Sequence, residues 1–502
     1  MNRITLAVLA ALAASAGAAA QTVPYQSALR SATGTGIGQG ELPKGGQFEP
    51  RVDAAIQYVS NMTLVEDGEP QIDTGGLELA PGFYASYSTD KLIGAIDYSL
   101  IGRAWEDSDF NDVSQRLAAN GEWTAVPEWF RIGAQASYDD SVIDPSVGIN
   151  YGELGIFGPD NLAETATAAV LPVLQHRFNW AEFTAQYSYG RTWYFDDDAQ
   201  PVIGFVTDQD STDQAAYVGL GTADIDARLF GTVSYEWEKS EYDTALPYEY
   251  ERAGLDAGYQ VTRTLAIVGD VGRESDLDES TTEGGLDSTY WSAGLRYEPN
   301  EQTSAEGRYG ERFFGSSWSL SVMHQARMLE FNASYSEEPT VETRTLSLGD
   351  FDPGTLPPTL PGVSPGSINS SPYVAKNANA GIRAVGSRTT LGLTAYQYER
   401  DYLRAARADE TDTGVAFDAT RQLASNLSAD LVLSWNEYVR EFAIDPNDPV
   451  TDENYDDLQA ILRLNRQAGA HLTLGLEAGY LQRSGDTEYD GWWTGLRARW
   501  IP

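Results

Sequence analysis

From Phe48 to the end, the chain is built of segments of about ten residues in which apolar and polar side chains alternate. The links between these segments alternate short and long. A period of two puts every second side chain on one face of a strand. Within residues 309–338, Trp318, Leu320 and Val322 fall on one face and Ser317, Ser319 and Ser321 on the other. After a break at 326–328, Leu329, Phe331, Ala333 and Tyr335 oppose Glu330, Asn332 and Ser334. So short a link allows only an antiparallel neighbour. Other segments repeat the pattern: Leu472, Leu474, Leu476, Ala478 and Tyr480; Leu427, Ala429, Leu431, Leu433 and Trp435; Leu229, Gly231, Val233, Tyr235 and Trp237. In each, an aromatic closes the apolar row, as at a membrane interface.

The short links are read at 89–91, 126–128, 223–225, 262–264, 299–301, 386–388 and 465–468. The long ones are read at 63–76, 144–160, 194–213, 276–287, 337–372 and 442–452. Short periplasmic turns alternating with long external loops mark an outer-membrane barrel. The expected fold is all-β: a transmembrane antiparallel β-barrel of about 22 strands, within a range of about 18 to 26. A soluble sandwich also alternates, with its apolar face inside. The number and length of the segments argue against it. So does the low overall hydrophobicity, since a wide lumen leaves half of the strand residues wet.

The first 20 residues read as a secretory signal peptide: Asn2 and Arg3, an apolar run over 4–16, then Ala18, Ala19 and Ala20 before a cleavage site. Residues 21–47, rich in Gly, Ser and Thr, read as a flexible periplasmic lead-in too short for a plug domain. Residues 48–502 read as the barrel. These features place the mature chain in the outer membrane of a Gram-negative bacterium. The chain ends near an aromatic, Trp500, as barrels recognised by the assembly machinery usually do, although Ile501 and Pro502 follow it.

Composition removes several function classes. Against 33 Lys and Arg stand 74 Asp and Glu, a formal net charge of −41, so the surface is not one that grips nucleic acid. The absence of Cys excludes disulfides and thiolate chemistry, and three His are too few for a His-rich metal site. His176, His324 and His471 have no Gly-x-Ser-x-Gly or comparable partner, so no enzyme is expected and no catalytic or cofactor residue is named. Acidic groups at Asp196–198, Asp276 with Asp278 and Glu279, Asp409 with Glu410 and Asp412, and Asp445 with Asp448 read as solvated external loops facing lipopolysaccharide and its bridging cations. Oxygen donors of this kind also suit Ca²⁺, but they lack the spacing of a known calcium loop.

Charged side chains on the polar faces are candidates for lining a lumen: Arg228, Glu236, Asp430, Arg463, Glu477, Arg497 and Arg499. Their mixed signs argue against a simple anion- or cation-selective pore, and a pore lining and a stiffening ladder of ion pairs are equally good readings of them. The turn Phe313–Phe314 reads as part of an interfacial girdle, or as a platform for sugar rings. The proline-dense stretch 337–372 is expected as a mobile external loop or a constriction folded into the lumen.

Two motifs carry a family resemblance. Arg308, Tyr309, Gly310, Glu311, Arg312, Phe313, Phe314 and Gly315, followed by Trp318-Ser319-Leu320 and Ser334-Tyr335-Ser336-Glu337, resemble the hallmark segment of the PEP-CTERM system-associated outer-membrane β-barrel family. The lead-in Gly294-Leu295-Arg296-Tyr297-Glu298-Pro299 is similar too. The resemblance implies a porin-like barrel acting as a conduit linked to exopolysaccharide export, with export components as partners. A barrel that only scaffolds the export machinery is the alternative. The family supplies no catalytic residues.

Overall fold

The computed structural model describes residues 44–502, apart from 66–67, 69, 143–149, 153–154, 158–161, 196–209, 223–227, 244–246, 277–286, 341–371, 404–408 and 442–452. The strands are β1 (Gly45–Val59), β2 (Thr74–Ser88), β3 (Leu92–Trp105), β4 (Asp112–Val126), β5 (Phe130–Val142), β6 (Asn150–Gly152), β7 (Gly155–Phe157), β8 (Leu162–Arg177), β9 (Ala181–Phe195), β10 (Ser211–Thr222), β11 (Leu229–Tyr242) and β12 (Tyr248–Gln260). They continue with β13 (Leu265–Asp276), β14 (Asp287–Asn300), β15 (Thr303–Arg312), β16 (Gly315–Gln325), β17 (Leu329–Thr340), β18 (Tyr373–Val385), β19 (Thr389–Tyr402), β20 (Asp409–Ala424), β21 (Leu427–Glu441), β22 (Glu453–Gln467), β23 (Leu472–Gly485) and β24 (Tyr489–Trp500).

Apart from the small hairpin β6–β7, these make one 22-stranded antiparallel sheet. Each strand pairs with the next along the chain, and β1 closes onto β24 from Val52↔Trp500 to Val59↔Trp493. The result is the barrel expected, and its first strand begins at Gly45, slightly before 48. A closed ladder leaves no edge, so its backbone N–H and C=O groups are satisfied without water. With strands about 4.8 Å apart and tilted about 40°, 22 of them enclose a cylinder about 44 Å across between backbones.

Sidedness follows from alternation. Ile56, Leu77, Val233, Ile267, Leu295 and Leu496 stand fully exposed on the outer face. A belt of this size has no place in water and is covered by bilayer. Tyr235, Trp291, Tyr309, Trp318 and Trp435 edge it toward the external loops, and Trp123, Trp129 and Trp180 edge it toward the periplasmic turns.

Several links differ from their sequence reading. The turn after β14 lies at Glu301–Gln302, because β14 runs through Pro299 to Asn300 after a register shift. Asn465 remains in β22, and the link that follows starts at Ala468. Glu337 and Glu338 belong to β17 rather than to a loop, while 341–371 lie outside the described residues. The link at 223–225 also lies outside them.

Candidate functional site: the lumen wall

The inner face carries the complementary half of each strand. Along β12 it presents Tyr248, Tyr250, Arg252 and Asp256; along β13, Asp270 and Glu274; along β15, Glu306, Arg308 and Arg312. These side chains pair along the wall. Arg308 Nη1 lies 3.3 Å from Asp270, and its Nε lies 2.6 Å from Glu306. Arg252 lies 3.2 Å from Asp270 and over the ring of Tyr290 at 4.3 Å. Arg312 donates to Glu274 at 2.8 Å and to the Tyr250 hydroxyl at 2.9 Å, and it also pairs with Glu338. Phe313 follows it inward: its N–H donates to Glu274 Oε1 at 3.0 Å and its ring packs beside Tyr250. Phe313 is therefore a lumen residue, not part of the interfacial girdle.

The candidate lining residues separate into groups. Glu236, Asp430, Arg463, Glu477, Arg497 and Arg499 all lie on the inner register of their strands. Arg228 does not. It is exposed in the turn before β11, because that strand begins one residue later than its alternation suggests. Arg463 pairs with Glu477, whose other oxygen accepts from Trp493 Nε1 at 2.7 Å. Arg497 and Arg499 converge on Asp53 across the closing seam, at 3.2 and 2.7 Å. Asp430 accepts from the Asn465 amide at 3.1 Å. Sequence alone does not single out Asp53 or Trp493, since their partners are set by β1 closing on β24 and by the pairing of β23 with β24.

On β18–β24 the inner face pairs arginine with tyrosine and carboxylate. Arg483 holds Asp457 at 2.7 Å and stacks over Tyr455 at 3.8 Å. Arg400 and Arg440 share Glu410 at 3.2 and 3.4 Å. Asp409, Glu410 and Asp412 are therefore strand residues, not an external acidic loop, and Glu410 is already held by two guanidinium groups. The acidic runs at 196–198, 278–279 and 445–448 lie outside the described residues.

The link after β1 turns inward instead of outward. Asn61 is fully buried and in the left-handed backbone region that asparagine tolerates (φ 51°). Its amide donates to the carbonyls of Val65 and Asp490, and its oxygen accepts from Val65 N–H. Met62 N–H bonds the carbonyl of Ile72. This pinned loop packs Met62, Leu64 and Ile72 onto Val59, Trp105, Val432, Ile461, Leu481, Tyr489 and Trp493, an apolar cluster inside the barrel.

The opposite situation holds on β16–β17. Ser319, Ser321, Asn332 and Ser334 face inward and are exposed. Among the described residues, no side chain covers these short polar ones from the lumen side. The three histidines lie apart at the periplasmic end, His176 on β8, His324 on β16 and His471 in the turn before β23. His176 stacks on Trp129, His324 bonds Thr303, and His471 bonds the Ile501 carbonyl. Trp500 faces outward at the same end and is half exposed.

No family model matches the chain, and no curated protein matches it in sequence. Among solved structures it is similar to the siderophore receptor PirA from Acinetobacter baumannii, with a TM-score of 0.51, 9% identity, and coverage of 92% of this chain and 81% of that one. It is also similar to the FrpB iron transporter from Neisseria meningitidis (F5-1 variant), with a TM-score of 0.50, 9% identity, and coverage of 91% and 83%. The shared feature is the fold, a closed 22-stranded antiparallel outer-membrane β-barrel.

Proposed function

We propose that this chain is an outer-membrane conduit for a polar, hydroxyl-rich cargo. One observation carries the reading: Ser319, Ser321, Asn332 and Ser334, short and uncharged, face inward and are exposed on β16–β17, in a barrel about 44 Å across between backbones. The ion pairs support it, because they run between neighbouring strands, or strands two or three apart, and lie flat along the wall. Mixed signs favour a weakly ion-selective passage. The resemblance of residues 308–337 to the exopolysaccharide-associated barrels points to an exported surface polymer as the cargo, with export components as partners. The neighbouring fold of siderophore and iron transporters offers an iron chelate as a second cargo.

Liposome swelling with uncharged oligosaccharides of increasing size tests the passage. Entry of oligosaccharides well above the size of a disaccharide is expected, and exclusion of all sugars would overturn the conduit. The same wall of Arg–carboxylate pairs would suit a scaffold, and a barrel that excludes every solute is what that reading requires.

A further inference from the structure

The barrel is closed by backbone pairing at every seam, but the β16–β17 ladder is the shortest of the 22-stranded sheet; the β4–β5 ladder also stops short, at Leu117↔Tyr138. Between β16 and β17 the ladder has six registered pairs, from Leu320↔Tyr335 to Gln325↔Glu330. Both strands continue toward the external side, over residues 315–319 and 336–340, without pairing to each other. Each stays fixed to its other neighbour: β16 pairs with β15 up to Arg312↔Gly315, and β17 pairs with β18 up to Thr340↔Tyr373. The sheet therefore splits while both lips remain ordered.

Side chains fasten the split. The Glu337 carboxylate accepts from the Trp318 N–H at 3.3 Å and from the Tyr335 hydroxyl at 2.5 Å. Arg312 donates to the Glu337 carbonyl at 3.3 Å and pairs with Glu338, while its other nitrogen is anchored on Glu274 of β13. Side-chain contacts of this kind can open without unravelling a ladder. Pro339, which has no N–H, sits in the unpaired length.

The height and lining of the split identify what it could admit. Trp318, at its lower edge, lies on the outer face and packs against Tyr309, so the split lies at and just above the aromatic row of the outer leaflet. The inner lips are Ser317, Ser319 and Ser336, with Glu338 above them held by Arg312. The outer side is Trp318 and the Glu337 carboxylate, above the closing pair Leu320↔Tyr335. A two-sided opening of this kind matches an amphiphile whose hydroxyl-rich head lies in the lumen and whose tail lies in the bilayer.

We propose that the upper β16–β17 seam is a lateral window between the lumen and the outer leaflet, latched by Arg312, Glu337 and Glu338, through which a sugar-headed lipid passes. The proposal goes beyond the conduit and does not depend on it.

The test uses the full barrel in phosphatidylcholine vesicles doped with a phosphatidylcholine that carries a photoactivatable diazirine near its headgroup. Adducts are mapped by mass spectrometry. Labelling of the inward-facing Ser319 and Ser336 is expected to exceed that of Ser234, inward-facing on the fully paired β11, by at least about fivefold. Glu338→Gln, which leaves Arg312 on Glu274, should raise it about a further twofold. The chain has no cysteine, so the pair Ser317→Cys with Glu338→Cys can be closed by mild oxidation. Oxidation should bring the labelling down to the Ser234 level, and reduction should restore it. Labelling confined to Leu320 and Tyr335, or labelling of Ser319 that is indifferent to oxidation, would overturn the window. Because the oxidised and reduced pair is one folded protein, the outcome does not depend on whether Glu338→Gln folds. Swelling and labelling are read separately, so a barrel that excludes sugars while showing a window refutes only the conduit.

Discussion

Two walls of one barrel face each other with opposite construction. From β21 round to β3 the inner face carries ion pairs and, above them, an apolar second layer, since the loop after β1 folds back and packs Met62 with Trp105 and Trp493. From β15 to β17 the inner face is single-layered. It carries ion pairs on β15 and mainly serine on β16, is topped by a tight hairpin at Gly315 (φ 119°), and is divided by a seam with six pairs. A β-barrel draws its stability mainly from ladder closure and the outer belt, so it can afford to leave part of the inner face bare. The packed wall fixes the shape, and the bare wall leaves the space.

Substitutions can sharpen or break that contrast. The largest effect belongs to the packed wall. Trp493→Ala removes a ring that is only 4% exposed, together with its bond to Glu477, and is expected to cost about 3–5 kcal/mol in urea unfolding of the refolded barrel. Next is the loop pin: Asn61→Ala strands the carbonyls of Val65 and Asp490 and should cost about 1–3 kcal/mol. It should also raise single-channel conductance, because a released loop no longer narrows the lumen. An unchanged conductance would show that the loop occupies no part of the passage. On the bare wall, Ser319→Phe should alter stability by less than about 0.5 kcal/mol, because its side chain stands exposed to the lumen, but should lower the conductance. A loss comparable to that of Trp493→Ala would erase the distinction between the walls.

The smallest effect lies outside the membrane, at the β2–β3 turn. Lys44 holds the Asp90 carboxyl below its ordinary range through a hydrogen bond and its charge. A depressed folded-state pKa stabilises above the unfolded value and loses that contribution as pH falls through the folded one. Lys44→Ala should therefore flatten a slight acid-side slope and change nothing measurable at neutral pH, since both groups are exposed. A clear change in the urea midpoint at pH 7 would contradict this.

What the sequence made legible follows from where the constraints are local. The lipid face must be apolar at every second position, so Leu427–Trp435 on β21 and Leu472–Tyr480 on β23 could be read directly, and with them the barrel and its strand number. The inward loop could not be read. It depends on Asn61 reaching the Asp490 carbonyl, a residue at the far end of the chain. Glu337 was assigned to a loop because prolines follow it, although a strand that is unpaired on one side tolerates Pro339. Charges on inner registers were found one strand at a time. Which of them meet, such as Arg497 and Arg499 on Asp53, is decided by the closure of the first strand on the last.

The central claim is an open lumen, and single-channel recording of the purified, refolded protein in a planar bilayer tests it most directly. The account predicts large, steady conductance steps with weak ion selectivity. A silent bilayer, from protein that runs as a heat-modifiable folded barrel on a gel, would contradict it.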